Sequence, residues 1–85
     1  MIDFIAALAV DDARDLYTLT IARTHRPAGE WEWLEQVDEL STSLGRDADM
    51  ATAERAAVAL LEQEGYQVVE GPFEDSNQTW WVVRR

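Results

Sequence analysis

The sequence predicts a small α+β domain in the order α-β-α-α-β-β, three helices with a small antiparallel sheet. Three observations lead there: apolar residues recur at helical spacing in three segments, Leu16 to Thr24 alternates like a strand, and a polar loop separates two short apolar runs near the end. Eighty-five residues suit one domain spanning residues 1–85 and exclude a second.

The first helix is expected from Ile2 to about Asp15, because Ile2, Ile5, Ala9 and Ala13 share one helical side with Leu8 and Leu16 adjoining. Asp11 and Asp12 offer an alternative, capping a helix that begins at Ala13. "LYTLTIART", Leu16 to Thr24, sets Tyr17, Leu19 and Ile21 against Thr18, Thr20 and Ala22 and reads as a strand. "HRPAG", His25 to Gly29, contains Pro27 and Gly29 and reads as a loop.

"GEWEWLEQVDEL", Gly29 to Leu40, fits two periods. A strand explains Trp31 and Trp33 against Glu30 and Glu32, but the alternation breaks at Glu35 and Glu39 around Val37. A helix explains more: Trp33, Val37, Leu40 and Leu44 form a stripe, the acids lie mainly off it, and Gly45 sits where a C′ glycine belongs. The second helix is therefore expected from Glu30 to Leu44. Asp47 or Asp49 would cap a third helix, Ala48 to Glu64, with Met50, Ala53, Ala57, Leu60 and Leu61 inside and Gly65-Tyr66 as a Schellman ending. Strands at Tyr66 to Glu70 and Thr79 to Arg84 complete the chain, with Trp80 and Trp81 on opposite faces, one of them in the core.

This element order resembles winged-helix architecture, a helix-turn-helix followed by a β wing. If Glu30 to Leu34 were a strand, the alternative is helix, antiparallel sheet and helix. In that case Tyr17 to Leu61 resembles the HicB group of antitoxins, with a strand pair leading into an Ala-rich helix, and the resemblance implies an antitoxin-like partner of a basic toxin.

Chemistry-bearing motifs are sparse. With no Cys, with His25 as the lone histidine and with no serine in a nucleophile elbow, the residues for a catalytic triad are not assembled by any motif. "DDARD" and "DAD" lack the ligand order of a calcium loop. The expectation is a non-enzymatic protein with no cofactor and no metal. No apolar run approaches the ~18 to 20 residues of a membrane span, so a cytoplasmic protein is expected.

Charge is the strongest functional signal. Seventeen Asp and Glu against seven Arg, a net charge of −10, oppose binding to phosphate backbones and anionic membranes. An acidic surface instead attracts basic proteins. The expected partner is a basic surface on a nucleic-acid-handling protein, bound in the manner of a DNA mimic or inhibitor, with Glu30, Trp31, Glu32, Glu35, Asp38 and Glu39 as contacts. Trp31 lies among the carboxylates as an aromatic anchor. The competing readings are a winged-helix transcription regulator using Arg23, Arg26, Arg84 and Arg85 on DNA, with a homodimer left open, and an acidic shell that only maintains solubility.

Overall fold

A computed structural model describes residues 3–25, 32–74 and 78–85. Strands β1 (Asp3–Asp11), β2 (Leu16–His25) and β3 (Glu32–Gly45) precede helix α1 (Met50–Gln63), and β4 (Gln67–Glu74) and β5 (Thr79–Arg84) follow it. All pairings are antiparallel and the sheet order is β3-β2-β1-β5-β4, so β3 and β4 are the edges. Helix α1 lies across one face.

This β-β-β-α-β-β order replaces both expected architectures. The winged-helix order of three helices is wrong because its first and second helices are strands β1 and β3, and the helix-sheet-helix alternative, which does take Glu32 onward as strand, fails because its first helix is strand β1.

Strand β1 misleads because it is central. Paired with β2 on one side and β5 on the other, it contributes Ala6 and Leu8 to the main core, with Phe4 and Val10 packed against it. Ile5 and Ala7, on the opposite face, are also buried. A strand buried on both faces needs no polar alternation, so it reads as one apolar run that a helical spacing can also fit.

Strand β3 misleads for a different reason. Its pairing with β2 slips between Leu16 and Thr18, between Ile21 and Ala22, and between Arg23 and Thr24. At the second slip Ile21 faces Asp38 and Ala22 faces Gln36, which leaves Val37 as the extra residue of a bulge. A bulge reverses the in-out phase of everything beyond it, and that broke the Trp/Glu alternation at Val37.

Helix α1 and β5 agree with expectation, except that Met50, expected inside, is exposed at the first turn. The Asp49 carboxylate accepts the Thr52 N–H at 2.7 Å as N-cap. At the other end Gly65, with φ of 90°, donates to Glu62 O at 3.1 Å while Tyr66 N donates to Leu61 O at 2.9 Å, the two bonds of a Schellman motif. Ala53, Ala57 and Leu61 meet Leu8, Tyr17, Leu19, Ile21, Trp81 and Val83 in the core. Trp81 is inside and Trp80 is half-buried on the other face.

Candidate functional site

Four of the six proposed contact residues, Glu32, Glu35, Asp38 and Glu39, lie on an edge strand rather than on a helix. Glu35, Asp38 and Glu39 belong to β3, which has β2 on one side and, among the described residues, no strand on the other. Glu32 begins β3, and Glu30 and Trp31 lie outside the described residues. Glu35 and Glu39 are exposed and Asp38 is half-buried. The outward acidic helix face is therefore corrected for Glu32, Glu35, Asp38 and Glu39: carboxylates on a strand diverge to alternate faces instead of gathering on one.

Arginines neutralise part of this acid. Arg23, directly across from Glu35, forms an ion pair with it at 3.8 Å. Arg14, from the β1–β2 turn, reaches Glu39 Oε1 and Ser41 Oγ, each at 3.2 Å. Arg46, just after β3, bridges Asp15 and Asp12 of the same turn, the latter at 2.8 Å; Asp15 first and Asp12 second hold its guanidinium above the ordinary arginine value. Arg84 pairs with Asp3 at 2.8 Å. These exposed pairs orient side chains more than they stabilise the fold. They also commit two cations of the second sequence reading: Arg23 and Arg84 are paired to carboxylates, and among the described residues there is no helix-turn-helix to place them on DNA.

Further acid lies where α1 ends beside β3. Glu62 and Glu64 flank Gln63 there, and the last turn of α1 holds no basic residue. A helix C-terminus is itself electronegative, so these carboxylates sit against the dipole. Tyr66 reports the field. Burial first pushes its phenol above the ordinary value of 10, and the charges of Asp38 and Glu64 push the same way, opposed by Arg85 stacked over the ring at 5.0 Å. Asp38 and Glu64 thus act on one group from two elements.

Two grooves flank α1. One of about 430 Å³ runs between its first half and β4, walled by Ala51, Val58 and Pro72 over Trp81, with Glu54 and Arg55 at its rim. Glu54 accepts from Thr79 Oγ1 at 3.0 Å. The other, of about 370 Å³, separates Ser41, Thr42 and Ser43 of β3 from Ala56, Ala59 and Leu60 of α1, with Gln63 at its end. This second groove was not anticipated. Its signals were an uncharged, β-prone "LSTSL" at Leu40 to Leu44 and alanines on the outer side of a helix, both of which also fit ordinary secondary structure.

Among the described residues no group of three or more His, Cys, Asp or Glu is arranged to hold a metal ion. Among them, too, no helix is long and apolar enough to cross a membrane. No protein family, no curated protein and no solved structure matches the chain.

Proposed function

We propose that the protein is a non-enzymatic interaction module whose acidic edge engages a basic surface on a nucleic-acid-handling protein, as an inhibitor or nucleic-acid mimic does. The observation that supports this reading is the placement of charge. Arg14, Arg23, Arg46 and Arg84 are drawn into internal ion pairs, while Asp38 of β3 and Glu64 at the end of α1 both act on the Tyr66 phenol. Such a surface steers cationic partners and repels phosphate.

The test is affinity capture from the native host with wild-type protein and with Glu35→Gln/Asp38→Asn/Glu39→Gln, at low and high salt, together with a titration of the chain with duplex DNA. A basic partner that is retained by wild type at low salt and lost by the variant is the expected result. Equal retention by both proteins, or saturable binding of the duplex at physiological salt, contradicts the reading.

A further inference from the structure

We infer that the groove between β3 and α1 receives an extended segment of the partner, added to the sheet as a strand beside Ser41–Ser43, with an apolar side chain toward α1 and a cation toward Asp38 and Glu64. This inference rests on the interaction reading above and names the form of ligand it takes. The first support is the backbone. Because β3 ends the sheet, its alternate residues direct N–H and C=O groups away from β2, the arrangement that strand addition uses.

The groove supplies the second support. An incoming strand directs every second side chain to the same face, and here that face meets Ala56, Ala59 and Leu60. Two alanines on a helix wall leave room for a larger apolar side chain, and burial of that side chain removes apolar surface of both partners from water.

Charge selects the occupant. Asp38 lies three residues before Ser41, Glu64 follows Gln63, and both act on the Tyr66 phenol, so two carboxylates lie toward the Gln63 end of the groove. Together with the negative end of α1 they favour Arg or Lys on the incoming segment. A second copy of this chain fits less well. Pairing β3 with another β3 opposes Glu35, Asp38 and Glu39 to the same carboxylates, and like charges facing across a strand pair destabilise it. The larger groove beside β4 lacks this preference, since its rim carries one charge of each sign.

The experiment selects a display library of random twelve-residue peptides against the full chain, then measures the enriched peptides by fluorescence anisotropy over a range of salt. Enriched peptides should combine β-branched or aromatic residues with Arg or Lys near one end. Ala59→Arg, a change at an exposed helix position that lays a long side chain across the groove, should weaken them about tenfold or more. Asp38→Asn/Glu64→Gln should weaken them less and flatten the salt dependence. Thermal melts confirm that each variant is folded. If basic peptides bind Ala59→Arg as tightly as wild type but lose affinity for Glu35→Gln/Glu39→Gln, the groove is wrong while the acidic interaction reading stands. Peptides that bind without basic residues and without salt dependence overturn both. A library that enriches nothing, or a wild-type dimer that Ala59→Arg dissociates in sedimentation, overturns the inference in favour of no peptide ligand or of a second copy.

Discussion

The two edges of the sheet face the same hazard, unpaired backbone open to any passing strand, and they answer it in different ways. Strand β4 closes its edge through the backbone. Pro72 has no N–H to offer, the register against β5 slips twice, and Gly71, with φ of 113°, folds the strand onto Trp80 and Trp81. Phe73 then stacks on Trp80 at 4.4 Å. Strand β3, fourteen residues long and without proline, relies on side chains: Asp38 accepts the Glu39 N–H at 2.8 Å, Thr42 Oγ1 accepts the Leu44 N–H at 3.2 Å, and carboxylates line its first half. A proline excludes every incoming strand, whereas a carboxylate excludes only those that bring no cation. The β4 edge is therefore closed permanently and the β3 edge conditionally.

The largest effect expected from breaking this contrast is at Gly71. A Cβ there would lie 3.0 Å from Trp81 Cδ1, 3.1 Å from Trp80 O and 3.2 Å from Trp81 Cα, in a backbone conformation that side chains disfavour. Two of those neighbours are backbone atoms that cannot swing aside. Gly71→Ala should destabilise the protein by about 2–4 kcal/mol in urea unfolding, from strain and overpacking combined.

Thr42 is the corresponding point on β3. Its hydroxyl donates to Tyr17 O at 2.8 Å, and it bridges the register slip where the β2 backbone would otherwise lack this donor. Thr42→Val keeps the shape and removes both bonds, so the same unfolding measurement should show a loss of about 1–3 kcal/mol.

A smaller effect concerns association. Glu35→Gln/Asp38→Asn/Glu39→Gln removes the charge that guards β3, and sedimentation velocity should then show concentration-dependent self-association. Glu74→Gln, the matching change on proline-guarded β4, should leave sedimentation unaltered.

The smallest effect is at Asp49, which anchors the wall of the groove by capping α1. The Thr52 hydrogen bonds, side chain first and backbone second, hold its carboxyl below the ordinary value of 3.8. A pKa lowered by folding contributes stability that is complete above 3.8 and is lost as pH falls through the folded value. Asp49→Ala should therefore lower thermal stability near neutral pH and narrow its gap to wild type in acid. An equal gap at pH 7 and below the folded value would remove the cap from this account.

What could be read from the sequence divides along the same line. Helix α1 was legible because Asp49 and Gly65-Tyr66 are local devices whose hydrogen bonds span a few residues. Strand β2 was legible because Tyr17, Leu19 and Ile21 alternate without interruption. Strands β1 and β3 were not, since the run from Phe4 to Val10 depends on neighbours on both sides and the bulge at Val37 depends on its pairing with β2. The site followed the fold. Glu35, Asp38 and Glu39 were identified as surface acid, but their edge, the arginine partners of Glu35 and Glu39 and the Ser41–Ser43 groove arise only when distant segments meet.

The contrast between a closed and a conditional edge is tested most directly by amide hydrogen exchange across the sheet with and without a bound basic peptide from the library selection. The account predicts slowed exchange between Ser41 and Leu44, with β4 unchanged. Protection on β4, or an unchanged β3 while the peptide is bound, would contradict it.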